Sequence, residues 1–299
     1  MSEQRRRHKS KQAITPGEFL FTEDDFHQIA ALIKEVAGIH LVAAKAPLVY
    51  SRLAKRLRAI KLTTFAEYCA LVASEEGVEE RGHMLNALTT NVTRFFREPH
   101  HFEMLKTRTL PPLLAQAKQG ARIRLWSSAC STGEEPYSMA LTILSVLPDA
   151  ASYDIKILAT DIDQNVIAKA KRGVYAASNV EAAPVDLRNK YFSKADASGT
   201  ELVVDDRVKS LITFRPLSLT KPWPVKGPFD AIFCRNVVIY FDRETQQALW
   251  RKFADVLSPD GWLFIGHSER ITGVAQDSFA SEGFTAFRKL SAADARKIA

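Results

Sequence analysis

Cysteine is scarce in this sequence: Cys69, Cys130 and Cys234 lie far apart, with no CxxC pair and no histidine cluster beside them. That usage suits reduced cytosolic thiols and argues against a disulfide framework or a metal site of zinc-ligand spacing. No apolar run approaches the roughly 20 residues of a membrane span, so no membrane insertion is expected. The start, MSEQRRRHKSK, is basic but is followed by no apolar segment, and does not read as a secretory signal. Glycine-rich phosphate cradles are absent too. The first strand is followed by Gly133 alone rather than GxGxxG, which leaves a dinucleotide pyrophosphate no close approach to the backbone. GxxxxGK[ST] does not occur, which argues against an NTPase. A strong charge of one sign is also missing. The formal charge is +7, but residues 1–11 carry +4 of it, through Arg5, Arg6, Arg7, Lys9 and Lys11 against Glu3. The body keeps only about +3, weak grounds for binding nucleic acid, and no nucleic-acid partner is expected.

What remains describes a cytoplasmic, globular chain. With 299 residues, 46% hydrophobic and 25% charged, it can form one large or two ordinary domains with ample core. Residues 1–18 read as a basic disordered tail, and 19–88 as a small all-α domain. In the latter, Thr22 is placed to cap a helix whose stripe is Phe26, Ile29, Ile33 and Val36, and Pro47 to open a second. Thr64 and Glu67 form a capping box for a third helix, and a fourth lies near 78–88. Residues 89–98 read as a linker. From 99 to 292 the pattern is α/β. Strand-like runs at Ile123–Trp126, Ile155–Thr160, Ile212–Phe214, Phe229–Cys234 and Trp262–Gly266 alternate mostly with helices, as in a mainly parallel sheet covered on both faces. A helix from about Asp242 to Leu257 is expected to end at Ser258-Pro259-Asp260-Gly261. Between 176 and 210 the alternation lapses into a small β insertion, in which Glu201–Val204 reads as one arm of a hairpin.

The most informative stretch is IRLWSSACSTGEEPY, Ile123 to Tyr137. A buried strand runs into small residues and then into a helix start, with Thr132 and Glu135 spaced as a capping box. Ligands of open α/β sheets sit beyond such strand ends. The second strand ends in Asp161-Ile162-Asp163. An acidic residue there is the usual partner of ribose hydroxyls, and Asp163 stands nearer the next helix start as its N-cap. A cofactor with a ribose but no phosphate fits both this acidic end and the missing phosphate loops. S-adenosylmethionine has that description.

NVTRFFRE at 91–98, STGEEPYS at 131–138, ATDID at 159–163, FCRNVVIYF at 233–241 and GHSE at 266–269 occur in order. Together they resemble the motif set of the chemotaxis receptor protein-glutamate O-methyltransferases (CheR), over about residues 22 to 290. The resemblance implies a class I S-adenosylmethionine-dependent methyltransferase fold, Rossmann-like with a mainly parallel sheet. A small all-α N-terminal domain and a small antiparallel β-subdomain insertion come with it. It implies S-adenosylmethionine as methyl donor, with S-adenosylhomocysteine as product, and chemoreceptor cytoplasmic domains as partners. The product would be glutamate 5-O-methyl esters on methyl-accepting chemotaxis proteins, serving sensory adaptation. It places Asn91, Thr93 and Arg97 at the cofactor with Glu134 or Glu135, Asp161 at the ribose, Arg235-Asn236 on the adenosine-methionine side, and Tyr240 near the transferred methyl. Ser218-Leu219 stands where the family has an Asn-Leu pair beside the adenine, and a hydroxyl offers one donor where an amide offers two. Some relatives hold a receptor pentapeptide with a glycine-rich turn in the insertion. Gly199 alone stands there, which points to a pentapeptide-independent enzyme.

Methyl transfer to a carboxylate needs no base, because a glutamate with a pKa near ~4.3 is already ionised at neutral pH. The expected catalytic residues are therefore positioning groups, Arg97 and Tyr240, and no metal is expected. His100, His101 and His267 are scattered in sequence and receive no role. From Lys45 to Lys61 there are six basic residues and no acidic one. Of these, Arg52, Lys55 and Arg56 fall on one side of the helix and suit an acidic receptor surface. A methyltransferase of small molecules or nucleic acid is the less apt reading, for want of an aromatic-basic platform. A noncatalytic S-adenosylmethionine-binding signalling protein is the other alternative, against which stand Arg97, Tyr240 and Asp161.

Overall fold

The computed structural model describes residues 12–291. Residues 1–11 of the expected tail lie outside the described residues. The rest of that stretch is already engaged, since the Ile14 N–H donates to the Phe21 carbonyl at 2.9 Å. Contacts divide the chain into two units between Thr90 and Asn91, with Tyr240–Asp242 belonging to the first.

The first unit is helical: α1 Glu23–Ala37, α2 Ala46–Ile60, α3 Phe65–Ala73 and α4 Val78–Leu88. Its caps follow from the sequence. The Thr22 hydroxyl accepts the Asp25 N–H and the Asp25 carboxylate accepts the Thr22 N–H, and Thr64 and Glu67 repeat the arrangement for α3. Phe21, Ile29, Ile33, Val49, Leu53 and Leu57 are fully buried, so the apolar stripes face one another. A buried polar knot lies beside them: Glu80 receives the Arg56 guanidinium at 2.6 Å and the Tyr68 hydroxyl at 3.0 Å.

The second unit carries β1 Ile123–Ser127, β2 Ile155–Asp161, β3 Val174–Ala176, β4 Phe192–Lys194, β5 Glu201–Val204, β6 Ile212–Pro216, β7 Phe229–Cys234, β8 Leu257–Ile265, β9 Phe279–Gly283 and β10 Ala286–Lys289. Seven of them form one sheet in the order β6-β2-β1-β7-β8-β10-β9. The five strands expected from the sequence pair in parallel, and β10 runs antiparallel between β8 and β9. This is the mainly parallel, Rossmann-like sheet implied by the resemblance. The chain leaves β1 towards β2 and returns on its other side at β7, which puts a topological switch point at the carboxyl ends of these strands. The insertion forms a separate antiparallel sheet, β3-β5-β4, which begins at Val174.

Two expectations are corrected. Residues 91–98, read as linker, group with the second unit, and Phe95 within them is fully buried in its core, against Tyr175 and Phe192. The helix Arg243–Val256 ends as expected, but Ser258–Gly261 does not separate it from β8. The strand already starts at Leu257, and the four residues form a bulge opposite Phe229–Ala231 with Asp260 at φ 60°. β9 and β10 are short and alternate weakly, so they carry no periodicity signal in the sequence.

Candidate active site

The loops at the carboxyl ends of β1, β2, β7 and β8 meet around a set of buried charges. The helix after β1, Glu134–Val146, starts at Gly133, whose φ is 101°. A Cβ at Gly133 would stand 2.8 Å from both Ala170 Cβ and the Tyr175 hydroxyl, so the chain can turn this closely only with glycine. The expected capping box of Thr132 and Glu135 does not form. Thr132 donates to Glu134 Oε2 at 2.6 Å, and Glu135 instead accepts from the Ser127 hydroxyl at 2.7 Å and from Arg235 Nη1 at 3.2 Å. The left-handed Gly133 points the first turn away from Thr132. Glu135 is thereby released for the strand ends.

Asp161, ending β2, accepts the Ser131 N–H at 2.8 Å and the Asp163 N–H at 3.0 Å. The Ile162 N–H also acts on this carboxylate, whose two oxygens offer about four lone-pair sites in all. Asp163 caps the next helix through the Asn165 N–H at 2.8 Å, and its other oxygen holds the Asn91 side-chain amide at 2.9 Å. The Asn91 carbonyl in turn accepts from the Ser131 hydroxyl at 2.9 Å. The 91–98 segment is thus tied to the ends of both β1 and β2. Burial pushes the Asp161, Glu134 and Glu135 carboxyls above their ordinary range, with hydrogen bonds opposing the rise and, for Glu135, the Arg235 guanidinium as well.

Arg235 follows β7 and is the hub of the opposite wall. Its side chain is 2% exposed and lies 3.2 Å from both Glu98 and Glu135. It also donates to the Arg97 carbonyl, and it packs over the rings of Phe102 and Phe233. Glu98 takes the His267 ring at 3.0 Å and the Asn236 amide at 3.4 Å. Burial would raise the Glu98 carboxyl, but Arg235, with His267 and His101, overcomes this and holds it at about 2. His101, fully buried, hydrogen-bonds the Phe284 carbonyl at 2.7 Å through Nε2, while its Nδ1 lies 3.4 Å from Glu98. Burial lowers this imidazole to about 3. Two of the three histidines that looked scattered therefore converge on one carboxylate.

Arg97 is half-buried, and its guanidinium donates to the Val92 carbonyl at 3.0 Å. Thr93 lies half-buried between them in the same segment. Beyond β6, Ser218 shares a hydrogen bond with Thr220 at 3.1 Å, and Leu219 is buried. The Leu219 carbonyl accepts from Trp223 Nε1 at 3.1 Å and Lys252 Nζ at 2.8 Å, which fixes this loop without the amide of an asparagine. Tyr240 lies in the turn Val238–Tyr240 and belongs with the helical unit, where its carbonyl accepts the His40 N–H at 2.8 Å. On α2, Arg52 donates to the Ala87, Leu88 and Thr89 carbonyls at the end of α4, and Arg56 is paired with Glu80. Lys55 is exposed.

This donor set fits a ligand that carries a diol, an ammonium and a carboxylate. Buried carboxylates at the ends of β1 and β2 suit the first two, and the half-buried Arg97 suits the last, whereas Arg235 is already taken up by Glu98 and Glu135. Glu98, Glu269 and Ser131 are members of the sequence motifs whose tasks the sequence alone did not reveal. Apart from Gly266, three residues before Glu269, and His101, three after Glu98, their partners stand 30 and more residues away and carry no local signal.

Residues 91–287 match the family model described as the S-adenosylmethionine-binding domain of CheR methyltransferases, and residues 24–89 match that of the CheR all-alpha domain. The chain is 52% identical over 258 residues to a probable chemotaxis protein methyltransferase of Rhizobium etli, covering 86% of this chain and 96% of that one. It is 43% identical over 251 residues to the chemotaxis protein methyltransferase of Escherichia coli, covering 83% and 84%. With chemotaxis protein methyltransferase 2 of Pseudomonas aeruginosa it shares 42% identity over 262 residues, covering 84% and 88%.

Proposed function

The chain belongs to the CheR methyltransferase family, and from that premise we propose that it esterifies glutamate side chains of chemoreceptors. As a member it is an S-adenosylmethionine-dependent methyltransferase of chemotaxis. Glutamate as acceptor, 5-O-methyl ester as product, a receptor cytoplasmic domain as partner and the cytoplasm as location are the finer reading. Among the described residues no helix is long and apolar enough to cross a membrane, which suits an enzyme that meets its receptor from the aqueous side. The family match over both units is the observation that carries the proposal.

Bound S-adenosylmethionine supplies a methyl group on a positively charged sulfur. The chain's residues then have to bind, orient and exclude water. Asp161 is assigned to the ribose hydroxyls, while Asn91, Thr93 and Arg97, held in one segment, are assigned to the cofactor together with Glu134 or Glu135. Asn236 and Arg235 close the opposite side, and Leu219 with Ser218 borders the adenine. Tyr240 keeps, on the motif resemblance, its assignment to the reacting groups. An acceptor glutamate is ionised at neutral pH and needs no base, which accords with His101 being buried at a backbone carbonyl rather than presented as one. Holding the reactants in line and dry can contribute roughly 7 kcal/mol or more in favourable model systems.

The exposed Lys55 is the member of the basic trio best placed to attract an acidic receptor helix, since Arg52 and Arg56 already serve internal partners. The deciding experiment supplies radiolabelled methyl donor to membranes carrying the cell's own chemoreceptors. Label released by alkali from the receptor band is the expected result, and label absent from receptors but present on small molecules or nucleic acid would overturn the proposal.

A further inference from the structure

The GHSE motif contains a buried carboxylate that the reaction scheme above leaves without a task. Glu269 is 3% exposed and accepts four backbone N–H groups. Oε2 takes Gly266 at 2.6 Å and Asn236 at 3.1 Å, while Oε1 takes Val237 at 3.0 Å and Val238 at 2.8 Å. Three of these donors are successive residues of the loop that follows β7. Asn236 opens that run in the left-handed region, at φ 58°. Successive N–H groups that begin in such a conformation form a concave nest for an anion, and here the anion comes from the chain itself. Gly266 completes the fit. A Cβ there would stand 2.5 Å from the Asn236 amide nitrogen and 2.8 Å from its backbone nitrogen.

We infer that Glu269 is a positioning residue for the cofactor: by gathering these N–H groups it holds the Arg235-Asn236 corner in the conformation that receives S-adenosylmethionine. The inference rests on the cofactor reading of the site and not on the identity of the methyl acceptor. Without the carboxylate, three consecutive N–H groups lose their acceptor and the left-handed Asn236 loses its restraint. The Asn236 side chain would then leave Glu98, 3.4 Å away, and Arg235 would no longer be fixed relative to Glu135. Burial raises the Glu269 carboxyl, and the backbone donors oppose that rise. An amide in its place keeps the shape but turns two donor hydrogens towards donors, so about half of the nest is repelled.

The test measures S-adenosylhomocysteine binding by calorimetry on the full chain, and steady-state methylation of receptor membranes. Glu269→Gln is expected to weaken S-adenosylhomocysteine tenfold or more and to raise KM for S-adenosylmethionine by a similar factor. KM for receptor should stay within twofold, a split that general destabilisation would not produce. Gly266→Ala, which keeps the carboxylate group but sets a Cβ 2.5 Å from the Asn236 amide and 2.9 Å from Glu269 Oε2, is expected to weaken the same ligand and keeps the test decisive if Glu269→Gln does not fold. Folded variants that bind S-adenosylhomocysteine within twofold of the wild type would overturn the inference. A wild-type protein that binds S-adenosylhomocysteine yet leaves receptors unlabelled would overturn the acceptor proposal alone.

Discussion

Arg235 Nη1 lies 3.2 Å from Glu135 Oε2, joining the end of β7 to the first turn of the helix after β1 across a span where both side chains are nearly closed to water. The same guanidinium lies 3.2 Å from Glu98, so one buried cation serves two carboxylates from two other parts of the chain. Desolvating three charges is costly, and replacing a buried pair by apolar groups is often neutral or better for stability. Its presence at the strand ends therefore points to positioning.

Removing one partner should be expensive. Arg235→Met would leave Glu98 and Glu135 facing each other without a cation, at an expected cost of about 3–5 kcal/mol. Adding Glu135→Gln should recover part of that loss, because one of the stranded charges is then gone. Urea unfolding of the two variants checks the order; a double variant less stable than Arg235→Met alone would refute the network.

Acid should weaken the second unit for two reasons of the same sign. Glu98 is held at about 2, below its ordinary 4.5, so its contribution is complete above about 4.5 and is lost as pH falls towards 2. His101 is held at about 3, below its ordinary 6.5. The unfolded chain takes up that proton from about 6.5 downwards while the native state refuses it, so stability again falls with pH, now between about 6.5 and 3. His101→Phe should lower stability at neutral pH, where the Phe284 carbonyl loses its donor, yet flatten the decline between pH 6.5 and 4.5. Parallel declines for wild type and variant would disprove this role.

How far these arrangements could be read from the sequence depends on their range. Thr22, Thr64 and Asp163 cap the helices they were expected to cap, because capping is a contact over two or three residues. The five parallel strands were visible as apolar runs, and Asp161 as the acidic end of the second. The Thr132–Glu135 capping box failed because a left-handed Gly133 overrides the spacing rule. Glu98, His101 and His267 were missed as a group: residues 98 and 267 are brought together only when β8 is laid beside β7.

Gly133 admits a sharp test of the first turn. Gly133→Ala forces a Cβ to within 2.8 Å of Ala170 and Tyr175, at a φ of 101°. Left-handed strain and overpacking together should cost about 2–4 kcal/mol, seen as a lower thermal midpoint. Cofactor affinity should fall as well, because Ser131 and Glu135 flank the turn. A midpoint unchanged within a degree would mean that the turn relaxes freely.

Asp161→Asn separates the ribose role from the structural one. The amide can accept from only one of the Ser131 and Asp163 N–H groups and sets its own hydrogens against the other. With one acceptor oxygen fewer at the strand end a ribose hydroxyl loses its partner, and a loss of about 1–3 kcal/mol in cofactor binding, roughly 5- to 150-fold in Kd, is expected. S-adenosylhomocysteine titration reads it directly. Equal affinities would place the ribose elsewhere.

The basic trio on α2 should divide by what each residue already touches. Arg52 closes the end of α4 by donating to three carbonyls, at 2.9 to 3.2 Å. Arg52→Ala should therefore lower the stability of the helical unit by about 1–2 kcal/mol, as expected when charge-assisted bonds to a helix terminus are removed. Lys55 is exposed on the same helix, so Lys55→Glu should leave the unfolding midpoint in place. It should instead raise KM for receptor membranes severalfold, more at low ionic strength than at high, because attraction between exposed charges is screened over about 10 Å at 0.1 M salt. Methylation assays at two salt concentrations distinguish the cases. A Lys55→Glu enzyme whose receptor KM is unchanged at low salt would remove this helix from substrate capture, whatever Arg52→Ala does to the fold.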